Sequence, residues 1–170
     1  MIQPKALTAV LSALAASLAS AQNGYLVRTV QYPQSYASYL SGINNNNVAA
    51  GTYYDQSGVE HGFEFLQGTY TTIDVPDAAG TWTSGLNDAE RFTGYYHSVN
   101  GTQGYLYQQG TLLRVKDGTD AVQLLGINNA GDMVGYTTPS VTSTVASGVS
   151  ILRGKIQSVV LPGAANTRCV

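Results

Sequence analysis

His61, His97 and Cys169 are the entire stock of imidazole and thiol in this chain, so nucleophilic, acid–base or zinc chemistry would have to start from them. A hydrolytic triad needs a nucleophile within reach of a histidine that a carboxylate orients. Neither histidine has that setting: His61 opens an aromatic run, His97 closes one, and the chain has no Gly-x-Ser-x-Gly elbow and no paired-carboxylate motif. Zinc needs a closed set of ligands at recognisable spacing, which a single cysteine at position 169 and two unclustered histidines do not supply. Oxygen-rich stretches at 44–47, 74–77, 117–120 and 128–132 invite comparison with calcium loops. None is a spaced ligand loop closing on an acidic residue, and Asn, Asp and Gly are what tight turns demand in any case. These residues point away from an enzyme and call for no metal and no cofactor.

Three further features carry possible chemistry. Asn100-Gly101-Thr102 fits the acceptor pattern for N-glycosylation, although the same Asn-Gly also reads as a type I′ hairpin turn. Trp82 and the twelve tyrosines, with Asn and Asp nearby, could stack on sugars. Cys169 is an odd thiol and a candidate for an intermolecular disulfide. Charged residues form only 11% of the chain, and the basic ones are scattered singly at a net charge of −2. No basic stripe exists for nucleic acid or anionic lipid to meet.

The elements that would position these groups follow from a repeat. Gly42-Ile43-Asn44-Asn45 recurs as Gly85-Leu86-Asn87-Asp88 and as Gly126-Ile127-Asn128-Asn129, at spacings of 43 and 41 residues. Nine residues after each opening glycine stands another, Gly51, Gly94 and Gly135, inside a short strand-like run. Hairpin signals follow at Ser57-Gly58 and Asn100-Gly101, then aromatic alternation, then Gln67-Gly68 and Gln109-Gly110. A last alternating strand ends each unit, at 70–75, 111–115 and 155–161. Pro33, Pro76 and Pro162 keep that phase, which makes 27–33 a lone copy of the last strand. Glycine is too frequent, and a 3.6-residue apolar period too absent beyond residue 21, for helices.

The expected fold is all-β: tandem four-stranded antiparallel repeats, β-propeller-like, with an incomplete terminal blade. Residues 22–170 form a single β-repeat domain, with a half unit at 22–41 and repeats at 42–84, 85–125 and 126–170. The runs Gly-Ile-Asn-Asn, Val-Ala-Ala-Gly-Thr-Tyr-Tyr, His61-Gly62-Phe63 and Tyr-Thr-Thr-Ile-Asp-Val-Pro resemble the HAF family of probable extracellular repeats, over nearly all of 24–164. The later units depart from the name-giving triplet, with Gln103-Gly104-Tyr105 and Ser147-Gly148-Val149. The resemblance implies an extracellular, propeller-like β repeat and brings no catalytic residue with it.

Residues 1–21 read as a secretory signal peptide: Lys5, an apolar stretch, then Ala19-Ser20-Ala21. That stretch is too short to span a bilayer. The expectation is a secreted structural or interaction protein of the cell exterior that self-assembles, as a dimer or filament, through unpaired terminal strands. Val27, Thr29, Gln31 and Tyr32 would form one such strand, and Arg168, Cys169 and Val170 the other. The alternative is a lectin-like carbohydrate-binding module for an extracellular glycan.

Overall fold

The computed structural model describes residues 27–118, 120–140 and 143–169, so the leader at 1–21 and Val170 lie outside the described residues. The described chain is all-β, with three four-stranded antiparallel sheets in tandem. Blade 1 consists of β1 (Ala37–Ile43), β2 (Ala49–Tyr54), β3 (Glu60–Leu66) and β4 (Thr69–Ile73). Blade 2 consists of β5 (Gly80–Leu86), β6 (Phe92–Ser98), β7 (Gly101–Gln108) and β8 (Thr111–Val115). Blade 3 consists of β9 (Ala121–Ile127), β10 (Met133–Thr138), β11 (Ser147–Leu152) and β12 (Lys155–Val159). In each sheet the strands neighbour one another in chain order, as a meander.

The repeated glycines have a common cause. Each first pair of strands is interrupted by a bulge, between Leu40 and Gly42, between Thr83 and Gly85, and opposite Val134 and Gly135. The extra residue pushes a carbonyl of the first strand against the second. Gly51, Gly94 and Gly135 sit where a Cβ would collide with the carbonyl oxygens of Tyr39, Trp82 and Gln123. The outer hairpins of all three blades turn on paired left-handed residues, Gln67-Gly68, Gln109-Gly110 and Arg153-Gly154. That is the type I′ requirement, and Arg153-Gly154 completes a series whose third member the sequence alone did not reveal. At Asn100-Gly101 only the glycine is left-handed, at φ 98°, so the turn is not type I′ as expected.

A single four-stranded sheet buries neither face, and the core lies between sheets. Val48, Ala50, Ile73 and Val75 of blade 1 pack on Phe92, Tyr96 and Tyr105 of blade 2. Val115 of blade 2 packs with Val122, Leu124, Met133 and Ile151 of blade 3. Each large side chain buried this way contributes about 1.5–3 kcal/mol. β5 lies against β2 and β3, and β9 against β6 and β7, so the first strand of each later blade is the wedge that fits the one before.

The terminal segments form no paired strand within the chain. Val27, Thr29, Gln31 and Tyr32 belong to no strand, and neither do Arg168 and Cys169. The amide of Tyr32 is held by Ser38 Oγ at 2.9 Å instead of by a strand partner. Its ring stacks on Tyr53 at 3.7 Å and meets Phe63 and Tyr70 edge-on, capping the outer face of blade 1. At the other end Thr167 N donates to Ala146 O and Cys169 N to Gly135 O, laying the tail across blade 3.

Candidate functional site

The histidines are tied into the framework. His61 Nδ1 lies 2.9 Å and 3.1 Å from the two carboxylate oxygens of Asp74, its Nε2 lies 3.6 Å from Asp55 Oδ2, and its ring stacks on Tyr53. The Asp55 carboxyl is held below its ordinary value, first by the backbone N–H of Val59 and then by those of Ser57 and the His61 side chain. His97 Nδ1 bonds Thr102 Oγ1 at 3.0 Å, and its Nε2 lies 3.5 Å from Glu60 of the neighbouring blade. Each ring uses both nitrogens on groups that brace strands. An imidazole oriented by Asp74 on one nitrogen would resemble part of a triad, but its other nitrogen faces Asp55, an acceptor that cannot be a nucleophile's proton donor.

The most developed constellation is built from the Gly-Ile-Asn turns. Asn44 Oδ1 accepts from the amides of Asn46 and Val48, closing its own turn. Asn87 Oδ1 does the same for Ala89 and Arg91, and Asn128 Oδ1 for Asp132. These bonds assign the loops at 44–47 and 128–132 to turn chemistry. The other half of each side chain reaches outward. Asn44 Nδ2 donates to Asn87 O at 3.1 Å, and Asn87 Nδ2 donates to Asn128 O at 2.9 Å. Beside this row runs a second one, in which Asn45 N donates to Asp88 Oδ1 and Asp88 N to Asn129 Oδ1, both at 2.9 Å. Asp88 Oδ2 accepts from the amides of Asn45 and Asn129 at 2.7 Å each. The Asp88 carboxyl is held below its ordinary value, chiefly by the Asn45 backbone N–H. The first row is directional, with Asn44 and Asn87 each donating to the next blade, while in the second row Asn129 also donates back to Asp88.

A polar seam runs deeper in the first junction. Thr83 N donates to Thr52 Oγ1 at 3.0 Å, Ser41 Oγ donates to Thr83 O at 2.8 Å, and Thr83 Oγ1 bonds the Tyr105 hydroxyl at 2.6 Å. Burial pushes the Tyr105 phenol well above its ordinary value. Beside the bulge, both backbone groups of Thr83 find partners on blade 1. Sequence reading missed these buried threonines because nothing in local periodicity separates a buried Thr from an exposed one.

The aromatic residues divide between core and surface. Tyr39, Trp82 and Tyr95 form a row of near-parallel rings, with Trp82 6.3 Å from Tyr39 and 6.1 Å from Tyr95. Tyr54 meets both Tyr39 and Trp82 edge-on, and burial pushes its phenol up to about 12. Beyond the row lies an open cleft of about 580 Å³ between blades 2 and 3, lined by His97, Thr102, Gln123, Tyr136 and Arg168 among others. Arg168 lies over the Tyr136 ring at 4.8 Å. Asn100 is exposed at a hairpin tip, while Thr102 of the same acceptor pattern is buried against His97. Cys169 is half-buried, with its sulfur directed at Gly148.

What the fold and these contacts define is a tandem array of four-stranded β blades joined through their asparagine turns. Comparison of the chain with protein-family models, with curated proteins and with solved structures finds no match in any of the three. The likeness to HAF repeats therefore rests on the quoted residues alone.

Proposed function

We propose that the protein is an exported structural or interaction protein of the cell exterior that associates with itself through the outer faces of blades 1 and 3. The observation that carries this reading is a comparison of equivalent positions. The residue paired with the glycine of each third strand is Ile73, then Val115, then Val159. Their exposures are 1%, 9% and 41%. The residue paired with the glycine of each second strand is Leu40, then Thr83, then Leu124, at 50%, 0% and 0%. Leu40 and Val159, whose equivalents blade stacking buries, are left open at the two ends, which is the condition for another β surface to cover them. The signal-like leader supports the extracellular address. The test is to express the chain with residues 1–21 intact, locate it by fractionation, and follow the secreted form by sedimentation velocity. Recovery outside the cell with concentration-dependent sedimentation is expected. Retention in the cytoplasm, or a single slow species at every concentration, contradicts it.

The ring row of Tyr39, Trp82 and Tyr95 beside a polar cleft supports a second, lectin-like reading, since sugars use stacking faces flanked by amide and hydroxyl groups. Titration with a panel of oligosaccharides, read by quenching of the single tryptophan, tests it. An unchanged Trp82 signal at millimolar sugar rejects it.

A further inference from the structure

We infer that a second copy of this chain docks head to tail, blade 3 of one copy receiving blade 1 of the other in the register that the internal junctions use. The inference rests on the self-association proposed above and adds its direction, its contacts and the two segments that must move. The asparagine ladder gives the direction. Asn44 and Asn87 each donate Nδ2 to the carbonyl of the next blade's asparagine, whereas Asn128 Nδ2 turns back to Asp132 at 3.3 Å, on the surface. Asn87 O and Asn128 O each accept from their own turn, from Glu90 N and Gly131 N, and also from the preceding blade. Asn44 O accepts from Asn47 N and stands at the start of the row, with no preceding blade among the described residues to donate to it. Blade 3 therefore ends the ladder on a donor and blade 1 begins it on an acceptor. Asn128 Nδ2 of one copy fits Asn44 O of the other, and Asn129 N fits Asn45 Oδ1.

The apolar contacts agree in register. A Cβ on Gly62 would strike the Thr83 hydroxyl, and one on Gly104 would come within 2.9 Å of Leu124 Cγ, so the glycine of each third strand admits the inner strand of the next blade. The equivalent glycine of blade 3 is Gly148, and the equivalent inner-strand residue of blade 1 is Leu40, half exposed. In the single chain the place over Gly148 is filled by the tail, with Cys169 Sγ and Thr167 Cγ2 within 2.8 Å and 3.0 Å of that Cβ position. The tail is a substitute for the missing wedge. It holds by the two amide bonds of Thr167 and Cys169, by Asn166 Oδ1 accepting from Ala146 N, and by Arg168 over Tyr136. A second copy would displace it, and would also displace Tyr32 from its place over Tyr53, Phe63 and Tyr70 on the outer face of blade 1. With three blades among the described residues of each copy, two copies joined at two such junctions make six blades, inside the range of about 4–8 that closed propellers adopt.

The experiment uses the full chain, with Leu40→Glu and Val159→Glu prepared separately and then mixed, each sized by analytical gel filtration. Both residues are solvent-exposed, so each variant is expected to melt within a few degrees of the parent. The parent is expected to run as a dimer, each variant alone as a monomer, and the equimolar mixture as a dimer again, because it retains one intact blade 3 and one intact blade 1. Arg168→Ala, which loosens the tail, is expected to tighten parent association about two- to five-fold, the equivalent of losing one exposed cation–π contact. If either variant alone still associates like the parent, the register is wrong while self-association stands. If the parent stays monomeric with and without Arg168→Ala, self-association and the docking inference both fail.

Discussion

Leu124 and Leu40 occupy the same place in the repeat, each paired with the glycine of a second strand beside the bulge. Leu124 is wholly buried in the junction with blade 2, beneath Gly104, whereas Leu40 is half exposed on the outer face of blade 1. The local fold is the same in both, with the same bulge and the same closing asparagine. What differs is whether a sheet lies on the far side. The blade is thus a unit of secondary structure but not of stability, and the junction is where the hydrophobic and polar terms are collected. Tyr32 at one end and residues 166–169 at the other partly make good what the missing neighbours would supply.

That contrast can be broken or sharpened by substitution. The largest effect is expected from Leu124→Ala, which removes a fully buried side chain and should cost about 2–5 kcal/mol in chemical denaturation. Leu40→Ala at the equivalent end position should cost the monomer under about 1 kcal/mol. Equal losses would mean that the junction is not what stabilises the blades. Next comes Asn87→Ala, which strands the amides of Ala89 and Arg91 and unlinks Asn128 O, for about 1–3 kcal/mol. Asn128→Ala, at the exposed end of the ladder, should lower the monomer's midpoint less. Tyr105→Phe removes the partner of the Thr83 hydroxyl inside the first junction and should cost about 1–2 kcal/mol.

The smallest effect near neutrality is the one on pH. Burial raises the phenols of Tyr54, to about 12, and of Tyr105 further still, so the folded state resists their ionisation. Their folded values stand above the ordinary value of about 10, so the stabilisation is complete below that pH. It is lost as pH rises through the folded values. Thermal melts followed from pH 8 to 12 should therefore be level at first and fall above about 10, more steeply in the parent than in Tyr105→Phe.

Much of this arrangement was legible in the sequence. The spacing of Gly42, Gly85 and Gly126, with Gly51, Gly94 and Gly135 behind them, located the strands because each glycine answers a backbone constraint that recurs in every unit. Pro33 kept the phase of Pro76 and Pro162, yet residues 27–32 form no strand: phase is a property of the local chain, whereas a strand requires an edge to pair with. The ladder was hidden for a related reason. Asn44, Asn87 and Asn128 announce turns on their own, and only stacking shows that their amide groups reach the next blade. Arg153-Gly154 escaped notice since arginine is not a usual left-handed turn residue, although it completes the pattern of Gln67-Gly68 and Gln109-Gly110.

The central claim is that the open faces of blades 1 and 3 belong against each other in two different molecules. Multi-angle light scattering of the purified chain over a hundredfold range of concentration, with and without reductant, tests it most directly. A mass twice that of one chain at the upper end, falling toward one on dilution and unchanged by reductant, is the predicted result. A mass of one chain throughout, or a dimer that disappears only when Cys169 is reduced, would contradict it.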